Sequence, residues 1–143
     1  MVADNYQQAV ARLLQGLSLE LADPPDKTGL HFEPDITVNL ERLSAFGVEQ
    51  VVLTCKVGDL TDLGTYPDVC NLIATGNFYW SRGNGCTLSV HEGSRSVYAQ
   101  HAFPLALLQG GFGVTDAAVD AFKQALANLV DFVAQARETG FTT

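Results

Sequence analysis

Apolar side chains near the start of the chain recur at the spacing of one face of a helix. The stripe consists of Tyr6, Val10, Leu13, Leu14, Leu17 and Leu21. Asp4 and Gln7 stand at the spacing of a capping box. The pattern predicts an amphipathic helix over residues 4–21, which ends before Pro24 and Pro25 because prolines cannot continue it.

Apolar and polar residues alternate in the segments that follow, which is the period of a strand with one buried face. The alternation predicts strands at residues 29–33, 36–40 and 51–57, joined by tight connections. Because each strand has one polar face, we expect an antiparallel sheet that is covered on one side.

The stretch NLIATGNFYW, residues 71–80, joins an apolar helical pattern to three consecutive aromatic residues. Pro67 suits a first helical position, and Asp68 suits the positive end of the helix dipole. Gly76 either ends this second helix or lies inside it, where another backbone comes close. We favour the second interpretation because residues 77–80 continue the apolar face.

The rest of the chain predicts a hairpin and a long helix. Strands are expected at 86–90 and 96–103, and Thr115 is a good N-cap for a helix over 115–138. The resulting order is α-β-β-β-α-β-β-α. We therefore predict an α+β fold, a twisted antiparallel sheet of about five strands with three helices, in which residues 1–143 form a single domain.

Charge narrows the class of partner. The formal net charge is -8. Such a surface repels the phosphates of nucleic acid and anionic lipid, so neither nucleic acid nor a membrane is expected as a partner. The first residues lack the features of a signal peptide, and no apolar run reaches the ~20 residues that span a bilayer. The expected location is the cytoplasm.

Residues that carry chemistry are present but do not form a motif. The three cysteines contain no CxxC pair, and the three histidines have no partner at helical ligand spacing. No serine lies in a GxSxG elbow, and the Gly-rich stretches match no phosphate-binding motif. We expect no catalytic residues, no metal and no cofactor, although a small enzyme with a site assembled in space remains an alternative.

Apolar surface is abundant for a sheet of this size. One interpretation is that the last helix packs on the sheet and covers all of it. The other is that one helix forms a dimer contact and some apolar surface stays available to a partner.

In the order and pattern of its predicted elements, nearly the whole chain resembles the class I type III secretion chaperones of the Tir-chaperone (CesT-like) type, and residues 71–105 are the most specific part of the resemblance. The shared features are an apolar helix that ends near Asn77, the turn RGNG, a strand with a central Leu88, the hairpin HEGSR, the strand SVYAQ, and the step from Pro104 to Leu105. The predicted last helix stands where the family places its C-terminal helix. The stretch ALLQGGFGVTD departs from the family by its glycines, and the usual aromatic near the end of that helix is missing.

The resemblance implies a cytoplasmic homodimer that performs no chemistry. Such a chaperone binds a segment near the N-terminus of a secreted effector, holds it extended and keeps it secretion-competent. A non-chaperone adaptor or regulatory protein of similar fold is an alternative.

Two sets of residues are candidates for these contacts. The hypothetical dimer interface consists of Val69, Leu72, Ile73, Gly76, Phe78 and Trp80. A hypothetical client groove between the first helix and the second hairpin consists of Val10, Leu13, Leu14, Leu17, Leu88, Val90 and Val97. The alternative for each member of either set is that its side chain belongs to the core of the single chain.

Overall fold

The computed structural model describes residues 4–21, 24–33, 35–77, 85–110 and 113–139. The main elements are α1 (Asn5–Gly16), β1 (Lys27–Phe32), β2 (Ile36–Ala45), β3 (Val48–Asp59), α2 (Leu60–Leu63), α3 (Tyr66–Gly76), β4 (Thr87–His91), β5 (Ser96–Pro104), α4 (Leu105–Leu108) and α5 (Asp116–Thr139). The two-residue strands β6 (Gln109–Gly110) and β7 (Gly113–Val114) pair with each other. The predicted α+β class is confirmed; α2, α4, β6 and β7 are additions to the predicted order.

Five strands form one antiparallel sheet in the order β1-β2-β3-β5-β4. Strand β3 lies at the centre, and β1 and β4 form the two edges. Strands β2 and β3 are longer than the alternation predicted, because the ladder between them continues to the pair Ala45 and Val48. Only Phe46 and Gly47 connect them.

The core lies between one face of the sheet and two helices. Helix α5 packs against β2, β3 and β5, and α1 packs against α5. Inward-facing strand residues and the α5 stripe are buried together; they include Val38, Leu40, Val51, Leu53, Val97, Phe122, Leu126, Leu129 and Val133. The long helix therefore covers most of the apolar sheet face, as the first interpretation of the apolar surplus expected.

Helix α1 ends at Gly16, before the predicted end at residue 21. Ser18 adopts a left-handed conformation with φ 62. The amides of Ser18 and Leu19 donate to the carbonyls of Gln15 and Leu14, both at 2.9 Å. This is the hydrogen-bond pattern of a Schellman motif, which ends a helix. The helix therefore stops here although apolar residues continue at helical spacing.

Helix α3 ends at Gly76, with Asn77 in the C-cap position. Thr65 caps the other end of the helix. Because Gly76 is the last helical residue, the favoured prediction that Gly76 lies inside the helix is corrected. The aromatic residues Phe78 and Trp80 lie outside the described residues.

Arg137 fixes the end of α5 to the sheet. Its guanidinium donates hydrogen bonds to the backbone carbonyls of Lys56, Val57 and Asp35. The register of β3 against β5 shifts between Lys56 and Gly58. A bulge of this kind leaves residues out of the ladder, which explains why the Val57 carbonyl is free to accept from a side chain.

Candidate partner-binding surfaces

Most of the hypothetical client groove is core. Val10, Leu13 and Val97 are 0% exposed. Leu14 and Leu88 are also buried, whereas Leu17 and Val90 are only partly buried against the core. A side chain with no exposed surface cannot line an open groove. These five buried residues therefore belong to the core of the single chain. The client groove predicted from the sequence is corrected accordingly.

The hypothetical dimer interface divides in the same way. Val69 is 0% exposed and belongs to the core. Ile73 is partly buried and lies at its margin. The side chains of Leu72 and Gly76, like Phe78 and Trp80 as a whole, lie outside what the structure describes. Among the described members, Ile73 is the one whose surface remains available to a second chain.

The edge of β4 is partly closed by α3. The Asn77 side chain donates from Nδ2 to the Leu88 carbonyl and accepts at Oδ1 from the Leu88 amide, both at 2.8 Å. An asparagine amide thus takes the place that the backbone of a neighbouring strand would take. The opposite edge, β1, pairs on one side with β2, and no described strand pairs with its other side.

Charged residues hold α1 against the base of the β2–β3 hairpin. The Arg42 guanidinium forms ion pairs with Asp4 and Glu49 and lies 5.2 Å from the centre of the Tyr6 ring. Asp4 also completes the predicted capping box with Gln7. Hydrogen bonds from the Gln7 amide and from Arg42 lower the pKa of Asp4. Burial, followed by the charge of Asp26, raises the pKa of Tyr6 to about 12.

An exposed apolar cluster lies at the far end of the same hairpin. Leu43 is 47% exposed, Phe46 is 104% exposed and Val48 is 43% exposed. This cluster was not predicted from the sequence, because residues 42–49 were interpreted only as a tight connection between strands. The signal that identifies it is Phe46 itself, a bulky residue at the first position of a two-residue turn.

Two of the described cysteines, Cys55 and Cys86, are buried. Burial raises the pKa of the Cys86 thiol to about 11 and also raises that of Cys55. These thiols stay protonated at neutral pH and are weak nucleophiles. Burial lowers the pKa of His101, and His91 contacts Ser94 at 2.8 Å. Within the described ranges, no group of three His, Cys, Asp or Glu residues could hold a metal ion.

Among the described residues, none of the helices is both long enough and apolar enough to span a bilayer.

Comparison with known proteins identifies the fold. No family model and no curated protein matches the chain. A chain of the ExsC–ExsE complex matches with a TM-score of 0.69 and 20% sequence identity, over 94% of this chain and 96% of that one. A chain of the HopA1–SchA chaperone–effector complex matches with a TM-score of 0.65 and 15% identity, over 93% of each chain. The resemblance to secretion chaperones is thus confirmed at the level of the fold, which this chain shares with components of solved complexes of that kind.

Proposed function

We propose that this chain is a cytoplasmic chaperone that binds the N-terminal region of a type III secreted effector and keeps it secretion-competent. The observation that carries the proposal is the similarity of fold to a chain of a chaperone–effector complex, which covers 93% of this chain. The resemblance of residues 71–105 to the class I chaperones points to the same function. The net charge of -8 favours a protein partner over nucleic acid or an anionic membrane.

Among the described residues, the β1 edge of the sheet is open to a client. Strand β1 has no described neighbour on its outer side, whereas Asn77 occupies the β4 edge at Leu88. An extended peptide can add to a free edge through backbone hydrogen bonds. Partly exposed apolar side chains near the core, such as Leu17 and Val90, can supply further contacts. These features support binding of the client in an extended form.

Copurification tests this function. The tagged chain would be purified from its native host and the bound proteins identified by mass spectrometry. We expect a secreted protein whose capture is lost when its N-terminal region is deleted. Capture of a protein that is never secreted would instead favour an adaptor or regulator, and a stoichiometric small molecule would favour an enzyme.

The proposed activity is binding alone, without catalysis, metal or cofactor. Protonated thiols and the lack of any recognisable nucleophile motif support this part of the proposal. Elemental analysis of the purified chain checks it. Stoichiometric zinc that is lost on replacement of His91 or His101 would contradict it.

We further propose that the chain is a homodimer with α3 at the interface. Ile73 is the described interface candidate that is partly exposed. Ile73→Asp places a charge in that surface, which is costly if a second chain buries it. Light scattering should show a dimer for the wild type and a monomer for this variant. Ala74→Asp is the matched control, because Ala74 is exposed one position further along the helix; a wild-type monomer at micromolar concentration excludes the dimer.

A further inference from the structure

The β2–β3 hairpin extends beyond both neighbouring strands. Pairing between β1 and β2 ends at Lys27 and Glu41, and β5 last pairs with β3 at Gln50. The two strands of the hairpin nevertheless stay paired to the turn. Residues 43–49, which we call the arm, therefore form a ribbon whose outer edges pair with no described strand.

The arm carries its large apolar side chains outward. Ala45 and Val48 are direct partners across the ladder, and Leu43 lies two residues before Ala45, so all three share one face. The buried residues Val38 and Leu40 stand at alternate positions of the same strand. The arm face is therefore the sheet face opposite the core, and Phe46 stands at its tip.

Phe46 occupies a conformation that suits it poorly. Its φ of 54 and the φ of 76 at Gly47 are the left-handed values of a type I′ turn. Asn, Asp or Gly is favoured at the first position of such a turn, and a bulky residue there is an outlier. The Phe46 ring is fully exposed, so burial within its own chain does not offset this cost. Such cost without local benefit is typical of residues that act on another molecule.

We propose that the arm is a contact site for an extended apolar segment of the client, flanked by basic residues. This inference rests on the proposed function and gives it a place on the molecule. Leu43, Phe46 and Val48 are exposed together at this end of the hairpin, and an exposed apolar patch of roughly a few hundred Å² on a monomeric protein is often functional. A stable interface with a second copy needs about 1,200 Å² or more. A peptide needs less, because it also gains backbone hydrogen bonds from the unpaired edges of the arm.

Charge selects the flanks of the segment. The cations at the base of the arm are already paired: Arg42 with Asp4 and Glu49, and Lys27 with Glu41. The chain as a whole carries a net charge of -8. Basic residues in the client therefore meet an acidic field, whereas acidic residues are repelled.

A single substitution separates the two roles of Phe46. Phe46→Asn supplies the side chain that the turn favours and removes the aromatic ring. We expect its melting temperature to equal or exceed that of the wild type, and its binding to weaken at least about tenfold, as for a contact in the centre of an interface. Phe46→Leu should retain most of the binding. A lower melting temperature for Phe46→Asn would show that the ring serves the fold and would overturn the proposal.

The probe is a synthetic peptide with a short run of valines between lysines at both ends. It carries fluorescein, and its binding is measured by fluorescence anisotropy. Leu107→Asn is the control, because Leu107 is 80% exposed on α4 and outside the arm. We expect the wild type and Leu107→Asn to bind this peptide and Phe46→Asn to bind it weakly. A peptide with glutamates in place of the lysines should not bind to the wild type. The arm is excluded as a binding site if the wild type does not bind the peptide. It is also excluded if all three chains bind equally, or if both variants lose the same affinity. The proposed function fails separately, if no secreted protein copurifies with the wild type.

Discussion

The side chain of Asn77 pairs with both backbone polar groups of Leu88, through two hydrogen bonds of 2.8 Å. Because the amide of an asparagine side chain has the same donor and acceptor as a peptide group, it mimics one residue of an added strand. Free strand edges are sites of unwanted pairing between chains. The contact protects β4 at this position and also fixes the end of α3 to the sheet.

Replacing Asn77 should therefore weaken the fold and open the edge. Asn77→Ala leaves the partly buried Leu88 amide and carbonyl without their partner, which costs about 1–3 kcal/mol of unfolding free energy. Denaturant unfolding measures that cost, and hydrogen exchange should show faster exchange of the Leu88 amide. Asn71→Ala, at an exposed position of the same helix, should leave both measurements nearly unchanged. An unaltered Leu88 exchange rate in Asn77→Ala would contradict the assigned role.

Gly16 should not tolerate a side chain, although it lies at the end of a helix. A Cβ atom at this position would stand 2.4 Å from Cγ1 of Val119 in α5. Valine is stiff at χ1 and cannot easily turn away. We expect Gly16→Ala to lower the unfolding free energy by about 1–3 kcal/mol, despite the better helix propensity of alanine.

A double-mutant cycle tests the cause of that loss. Val119→Ala removes the clashing atom at the cost of some core packing. In the double variant the further loss caused by Gly16→Ala should largely disappear. If the two effects simply add, the close approach of α1 and α5 is not the reason for the glycine.

Asp4 should contribute to the pH dependence of stability. Hydrogen bonds from the Gln7 amide and from Arg42 lower the pKa of Asp4 below its ordinary value of 3.8. Because the folded-state pKa is the lower one, the contribution is complete above the unfolded pKa and is lost as the pH falls through the folded pKa. Unfolding free energies measured from neutral pH down to the acid range should show this loss in the wild type.

Two variants separate the cap from the charge. Asp4→Asn keeps a side-chain acceptor for the Gln7 amide, so it should retain much of the helix cap but lack the acid-dependent contribution of Asp4. Asp4→Ala removes the cap as well and should be less stable at every pH. The same acid slope in Asp4→Asn and in the wild type would exclude Asp4 as its source.

The first-helix stripe can be tested residue by residue. Val10 and Leu13 are 0% exposed, so Val10→Asp and Leu13→Asp should unfold or aggregate because each buries an unpaired charge. Leu17→Asp, at a partly buried position, should fold. Circular dichroism and melting curves provide the measurement. A folded Val10→Asp chain that fails to bind the recovered client would restore the original client groove.

Periodicity predicted the existence of the main elements but not their limits. The strands around Val38 and Leu53 and the helix after Thr115 were confirmed, because alternation and the helical stripe reflect burial against a single core. The early end of α1 depends on the left-handed Ser18 and on the approach of Gly16 to α5. Neither feature can be recognised from the order of apolar and polar residues around it.

The surfaces were harder to predict for a related reason. An apolar stripe on α1 has the same sequence pattern whether it faces a partner or α5. The choice depends on contacts with residues distant in the sequence, such as the close approach of Gly16 to Val119 of α5. The apolar cluster around Phe46 was missed because the alternation is interrupted there, while the backbone ladder continues.

The attachment of α5 through Arg137 also has a consequence for the order of folding. Arg137 lies 80 residues after Val57 and 102 residues after Asp35 in the sequence, and its guanidinium binds the backbone carbonyls of both. Strands β1, β2 and β3 can pair early during synthesis because they are neighbours in the chain, whereas their apolar face is covered only after residues 116–139 have emerged. Contacts of such large sequence separation fold slowly, and uncovered strands are prone to aggregate in that interval. Docking of the last helix is therefore the step that ends the exposure of this sheet face.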